Sequence, residues 1–208
     1  MLWPLRWRSA RSAIALGDRL YRRGNTDGAL RAFRRAMDSD SHHDAPAGAW
    51  WTAHLLHRSG DRTGACEFYK RAVESRHPAW SVRAAVDLAA LREEMGDVGE
   101  ASKLYEWAVN HGDPERSDGA NIWARRAATK LEILLTRQGE QAKARAIYDR
   151  VTKGVREPQA LFAINRATEL QARGDVEGAA TSLREAIELN DPTVSERAAV
   201  MLSILQMP

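Results

Sequence analysis

A single cysteine, Cys66, stands in 208 residues. No disulfide can close within the chain, and a zinc knuckle built on cysteine is excluded. Such sparing use of cysteine fits a reducing compartment, and a cytoplasmic location is expected. Nowhere do roughly 18 apolar residues follow one another, so no stretch is expected to span a membrane. The opening Met-Leu-Trp-Pro-Leu-Arg-Trp-Arg is basic, yet no apolar run of signal-peptide length follows it, and Arg19, Arg22 and Arg23 break up what comes next. Strand-like alternation is missing along the whole chain. Missing too are a phosphate-cradling glycine loop, a nucleophile elbow, a zinc-binding helix with paired His and Glu, and a Cys-His pair in a catalytic context. The sequence therefore reads as non-catalytic, with no cofactor and no metal.

What is present points to a folded, mildly basic protein. Hydrophobic residues make up 44% of the chain and charged residues 28%, too much apolar material for disorder and enough for a continuous core. A formal net charge of +3 leans toward acidic partners but falls short of a nucleic-acid signature.

Internal repetition is the main signal. The chain reads Gly24-Asn25-x-x-x-Ala29, Gly60-Asp61-x-x-x-Ala65, Gly96-Asp97-x-x-x-Ala101, Gly139-Glu140-x-x-x-Ala144 and Gly174-Asp175-x-x-x-Ala179. Nine residues after each glycine stands Phe33, Tyr69, Tyr105, Tyr148 or Leu183, and twelve after it Ala36, Ala72, Ala108, Val151 or Ala186. The glycines recur 36, 36, 43 and 35 residues apart, the extra seven residues falling at Asp113 to Gly119.

Each repeated residue has a physical role. A glycine at the end of an apolar-periodic run lets a helix leave through the left-handed region. The Asn or Asp after it can cap the amides of a second helix. Ala, aromatic and Ala at the following offsets share one face of that helix, small residues allowing close approach and the aromatic filling the groove. His77-Pro78, Asp113-Pro114, Glu157-Pro158 and Asp191-Pro192 mark the next helix starts. First helices are predicted near 10–23, 47–59, 81–95, 121–138 and 159–173. Second helices are predicted near 26–39, 62–75, 98–110, 141–153 and 176–189.

These residues resemble the tetratricopeptide repeat family: Leu-Gly in the first helix, Gly-Asp at the turn, then Ala, Tyr or Phe, Ala and Pro. Longer Sel-one-like repeats are the second choice. The resemblance spans about 10 to 207. It implies an all-α fold, a right-handed superhelical α-solenoid of about five helix-turn-helix repeats near 10–40, 47–77, 80–112, 114–156 and 158–190. A capping helix at 194–207 is expected to cover the apolar edge of the fifth repeat, with Val200, Leu202, Ile204 and Leu205 as its apolar residues. Residues 10–208 would form one domain behind a Trp/Arg-rich arm at 1–9. In that arm Trp3, Leu5 and Trp7 alternate with Arg6 and Arg8, as a lid on the first repeat or a membrane-interface segment.

Several constellations have competing readings. His54 and His57 are three apart on a helix and could share a metal with Glu93 or Glu94, though two polar groove residues is the favoured reading. His42-His43 reads as a solvated loop. Trp80 and Trp123 occupy equivalent positions 16 residues before their glycines, which suits packing between repeats. Trp50 and Trp51 are adjacent and point to different faces, one toward the core and one toward the groove. Trp107 falls on the outer side of its helix.

In the family, the first helix of each repeat lines a concave binding surface, which here implies positions 13, 10, 6, 3 and 2 before each glycine. The resemblance thus places Arg11, Ile14 and Tyr21, then Trp50, His54, His57 and Arg58, then Arg83, Arg126 and Arg137 in a peptide- or protein-binding groove. Arginine forks suit carboxylates, and Tyr21 and Trp50 offer flat apolar anchors. The expected partner is a protein or peptide with acidic and apolar residues. The Lys and Asn set with which chaperone-binding members grip a C-terminal carboxylate is lacking, Ile14 and Asp18 standing in its place. Two alternatives to a binding scaffold stay open: a nucleic-acid binder, resting on Arg22-Arg23 and Arg34-Arg35, and a self-associating assembly protein using repeat edges. Nucleic acid is disfavoured, because those arginines are not interleaved with a base-reading pattern. If the glycines are the turns, Gly96→Val is expected to destabilise by about 1 kcal/mol or more, as denaturant unfolding would measure.

Overall fold

The computed structural model describes the backbone of residues 3–112, 120–140, 142–144, 146–147, 159–190 and 194–206, and the side chains within these apart from 3–9 and 120–121. Six helices precede the insertion: α1 (Trp3–Arg22), α2 (Thr26–Met37), α3 (Asp44–Arg58), α4 (Arg62–Glu74), α5 (Trp80–Glu94) and α6 (Val98–His111). After it come α7 (Ala120–Arg137), α8 (Gln159–Ala172), α9 (Val176–Glu188) and α10 (Ser195–Leu205). Among the described residues there is no strand, and the all-α repeat of helix pairs expected from the sequence is the fold found.

Every glycine turn has the same construction. Gly24, Gly60, Gly96, Gly139 and Gly174 all have φ between +77° and +89°. In the first, the Gly24 amide donates to Tyr21 O and the Asn25 amide to Leu20 O, both at 2.9 Å. This is the Schellman arrangement, and the other four turns repeat it. The side chains of Asn25, Asp61 and Asp175 then accept from the amides of Gly28, Gly64 and Gly178 at 2.9 Å, and that of Asp97 from Glu100 at 3.2 Å. One residue pair thus ends one helix and starts the next. At the inter-repeat joints other side chains take over. Ser41 Oγ accepts from the Asp44 amide at 3.0 Å, and His77 Nδ1 accepts from the Ala79 and Trp80 amides at 3.3 Å.

The chain divides into two compact units, 1–124 and 125–208, the division falling within α7. In the first unit each helix packs on the next, and α3 also touches α1 and α5. Phe33, Tyr69 and Tyr105, the repeated aromatics, are among the largest fully buried side chains. Small residues set the spacing: a Cβ on Gly17 would lie 2.4 Å from the Phe33 ring, and one on Gly48 would lie 2.5 Å from Met37 N and 2.6 Å from Phe33 O. In the second unit α8 packs on α9 and α9 on α10. Val194 and Ala198 are buried there, with Met201, Leu202 and Leu205 packed against the same core. Val200 and Ile204, counted among the apolar residues of the cap, face outward instead, because only one stripe of a lone helix meets its neighbours.

Helix α1 starts at Trp3, so its backbone runs through most of the stretch read as an arm at 1–9. The lid contacts of Trp3 and Trp7 fall on side chains outside the described residues. So do the insertion at 113–119, most of the helix expected at 141–153 with Tyr148 and Val151, and the starts at Glu157-Pro158 and Asp191-Pro192.

Eight positions before the five glycines stand Leu16, Thr52, Leu88, Leu131 and Arg166. Thr52 is completely buried, and its Oγ1 has no hydrogen-bond partner among the described residues. An unmet buried hydroxyl costs about 1–3 kcal/mol. Thr52→Val keeps the shape and removes that cost, so it is expected to raise unfolding stability by about 1 kcal/mol in urea titration. A variant less stable than the parent would mean that the hydroxyl is satisfied.

Candidate functional site

The first helices α1, α3 and α5 lie side by side in the first unit, which brings equivalent positions into a row. Arg11 is exposed and Ile14 is half-buried against the cluster around Phe33. Tyr21, His54, His57 and Arg83 are half-buried, and Arg58 is exposed. Trp50 is only 3% exposed. Its Nε1–H donates to Asp87 Oδ2 at 2.7 Å, and its ring lies parallel to His54 at 5.1 Å and edge-on to Trp51 at 4.8 Å. Of the adjacent pair, then, Trp50 is the core residue. Trp51, half-buried, stacks on Phe33 at 5.2 Å and tilts against Tyr21 at 6.2 Å.

Arg83 occupies an aromatic slot. Its guanidinium carbon lies 3.6 Å from the Trp50 ring centre, 4.8 Å from that of Trp123 and 5.5 Å from that of Trp80. Three indoles, from α3, α5 and α7, surround one cation. Each such contact contributes about 0.5–2 kcal/mol, rising with desolvation. Toward the helix C-termini, Arg58 Nη1 donates to Tyr21 Oη at 2.6 Å, linking the first repeat to the second. His57 Nε2 lies 3.1 Å from Glu94 Oε2, linking the second to the third. Burial first, then the charges of Arg58, Arg83 and His57, pull the His54 imidazole below its ordinary value. Of the carboxylates considered as a third metal ligand with His54 and His57, Glu94 contacts His57 and Glu93 accepts from Tyr105 Oη at 3.4 Å. No cluster of three ligands fit for a metal occurs among the described residues. His42 and His43 are exposed, their rings 5.8 and 5.1 Å from that of His77. Half-buried Trp107 stacks on His111 at 4.2 Å.

The second unit is built on ion pairs. Arg126 and Arg137 are exposed, and Arg137 Nη2 lies 3.9 Å from Asp175 Oδ2. Lys130 pairs with Glu169, which also accepts from Arg173 Nε at 2.9 Å. Burial would raise the Glu169 carboxyl, but bonds from Lys130 and Arg173 outweigh it and hold the group below its usual value. Arg166 donates from Nε to Ser182 Oγ at 2.9 Å, from Nη1 to Glu132 at 2.6 Å and from Nη2 to Glu185. Burial works against its charge, and the two carboxylates more than restore it. Beside this cluster a cavity of about 490 Å³ opens between α7 and the α8–α9 pair.

Two models of the tetratricopeptide repeat match the sequence, over residues 14–79 and 160–185. The chain carries tetratricopeptide repeats. Solved structures share its fold at low identity. MamA is 17% identical with a TM-score of 0.55, over 86% of this chain and 96% of MamA. BtubC from P. vanneervenii is 18% identical with a TM-score of 0.57, over 89% and 88%. YrrB, described as a TPR protein with an unusual peptide-binding site, is 15% identical with a TM-score of 0.53, over 90% of each chain. No curated protein matches the sequence.

Asp87, Glu132, Arg166 and Ser182 were not among the site residues expected from the sequence pattern. Arg166 carried a visible signal, a charge in the register held elsewhere by Leu16, Leu88 and Leu131. Asp87, four residues after Arg83 on the same helix, carried none that singles out Trp50 as its partner. No helix among the described residues is long and apolar enough to cross a membrane.

The position of His54 makes stability depend on pH. Its folded value lies below the unfolded one of about 6.5, so the unfolded chain binds the proton first as pH falls. This contribution is intact above about pH 6.5 and is lost below it, before carboxylates titrate. Melting curves at about pH 7 and pH 5 are expected to show a larger drop for the native chain than for His54→Gln. Equal drops would remove His54 as the cause.

Proposed function

We propose that this tetratricopeptide protein is a non-catalytic interaction scaffold that receives an extended partner segment with acidic and apolar residues along α1, α3 and α5. The observation that carries the reading is the Tyr21–Arg58 pair beside the Trp-lined Arg83. Arg58 is exposed over a half-buried ring, and the Arg83 guanidinium lies over Trp50. A guanidinium stacked on an aromatic loses less freedom when a carboxylate arrives at its edge. The fold class supports the same reading, and YrrB, whose description names a peptide-binding site, is an instance of this fold with that property.

Trp50 contributes by shaping the slot rather than by contact, since its ring is buried. Tyr21 and Arg58 are the direct contacts. First helices of neighbouring repeats are about 10 Å apart, and an extended segment advances about 3.3 Å per residue. Arg58 and Arg83 stand at opposite ends of neighbouring first helices, about 16 Å apart along the axis, so acidic residues roughly six apart on the partner meet both. Because these charges are partly exposed, affinity should fall with salt over a screening length of about 8 Å at physiological ionic strength.

A photo-crosslinking residue at Tyr21 would capture the partner, whose crosslinked segment is then titrated calorimetrically. Tyr21→Ala is expected to cost about 1–2 kcal/mol of binding and Arg58→Glu to weaken it further at low salt. Unchanged affinity in both variants would move the binding surface off this row of helices.

A further inference from the structure

The cavity beside Arg166 has a charge pattern that the groove reading leaves unused. Its floor is the Arg166 guanidinium, its apolar wall Ile133 and Leu170, and its rim carries Arg137, Asp175 and Glu177. At first sight it resembles an anion site, with a buried arginine and the N-terminus of α9 both facing one space. Both features are already satisfied from within. All three nitrogens of Arg166 donate to Ser182, Glu132 and Glu185. At the start of α9, the Gly178 amide is taken by Asp175 Oδ1 at 2.9 Å. Arg137, the second cation of the lining, lies 3.9 Å from that same Asp175.

What remains decides the sign. The lining holds three carboxylates, Glu132, Asp175 and Glu177, against two guanidinium groups, Arg137 and Arg166. Glu185 stands behind Arg166 as a further acid. The hydroxyls of Thr136 and Thr181 join Glu177 at the edge, while Ile133 and Leu170 are nearly fully buried. An incoming anion would have to strip Arg166 from its carboxylates, and would leave those acids buried and unpaired at a cost of several kcal/mol. A cation meets no such barrier.

We propose that this cavity is a binding site for a cation on an apolar stem, a lysine or arginine side chain presented by a partner segment. The stem lies along Ile133 and Leu170, and the charged head reaches the edge formed by Glu177 and the threonine hydroxyls. The volume falls within the range of about 300–1,000 Å³ typical of ligand pockets, so it has room for the charged side chain together with its neighbours. This proposal rests on the scaffold reading but concerns a different surface and the opposite charge.

The test uses the full chain and four probes followed by nitrogen-15 NMR: the end-capped tripeptides Leu-Lys-Leu, Leu-norleucine-Leu and Leu-Glu-Leu, and free butylamine. Leu-Lys-Leu is expected to shift the Arg166 Nε–H and the Thr136, Thr181 and Ser182 amides saturably. Its affinity should exceed that of the norleucine peptide about tenfold or more, the value of a charge-assisted hydrogen bond. Butylamine should bind more weakly than Leu-Lys-Leu; equal or tighter binding would make the site one for free amines and overturn the partner-segment assignment. Glu177→Gln, a change at an exposed position, is expected to weaken Leu-Lys-Leu by about two- to fivefold. The proposal is overturned if the norleucine peptide binds equally well, if Leu-Glu-Leu binds most tightly, or if no saturable shift occurs up to about 10 mM. A failure here with a positive Tyr21 and Arg58 result removes only the cavity. The reverse outcome removes the groove and keeps the cavity.

Discussion

Everything in this fold depends on the backbone reversal at a glycine in the left-handed region, locked in four of the five turns by an Asn or Asp one residue later. The glycine frees the last carbonyls of the first helix to pair with the turn, and the residue after it holds the first amides of the second helix. The reversal fixes where each second helix begins, and so which of its residues turn inward. That is why Phe33, Tyr69 and Tyr105, nine residues beyond their glycines, are all buried. Register in turn fixes distance. Helices that meet at Gly17 and Gly48 come close enough that one added carbon would overlap a ring or the backbone. Such interiors are close-packed, so a change at a contact point is transmitted rather than absorbed.

Register was the part of the structure most legible in the sequence, because it is written in short-range spacing. The turns, the order of helices and the Ala-aromatic-Ala faces follow from offsets counted from each glycine, and nearly all described helix ends fall within three residues of the expected ones. The exception is the start of α1 at Trp3. Pro4 suits a first helical turn, but the alternation of tryptophan and arginine around it lacks a helical apolar stripe. The placement of first-helix side chains was legible only in part. Spacing assigns a backbone direction, whereas a long side chain ends where its neighbours let it. Arg83 starts from the first-helix row and ends among indoles of three helices, since a weakly hydrated planar cation gains more there than in open water. Trp50 likewise starts from the first-helix row and is closed over by Arg83 and tied to Asp87. That contact spans 37 residues, as do Tyr21–Arg58 and His57–Glu94, one repeat plus one residue.

The two units use arginine in different ways. In the first unit, aromatic rings flank Arg83 and Arg58, contacts that order the guanidinium groups. In the second, carboxylates hold Arg166 and Arg173, which neutralises them. A net charge of +3 for the whole chain says little about either surface.

Departures from the repeat are where chemistry specific to this chain should be sought. Eight residues before their glycines, Leu88 and Leu131 are buried, and they report only that a helix needs covering there. Where the same position holds Thr52 or Arg166, hydrophobic burial no longer explains the residue. Thr52 brings a hydroxyl without a partner among the described residues, a cost with no visible return. Arg166 brings a charge into a helix contact, and it is tolerated because Glu132, at a position that is Gly or Ala in the other repeats, supplies the counter-charge from the neighbouring first helix. The two substitutions form one unit. Arg166 without Glu132 would keep Glu185 as its remaining carboxylate, whereas an apolar pair in place of both would serve packing at least as well. A pair that packing does not require, placed at the floor of a cavity, is better explained by what the cavity admits than by the stability of the solenoid.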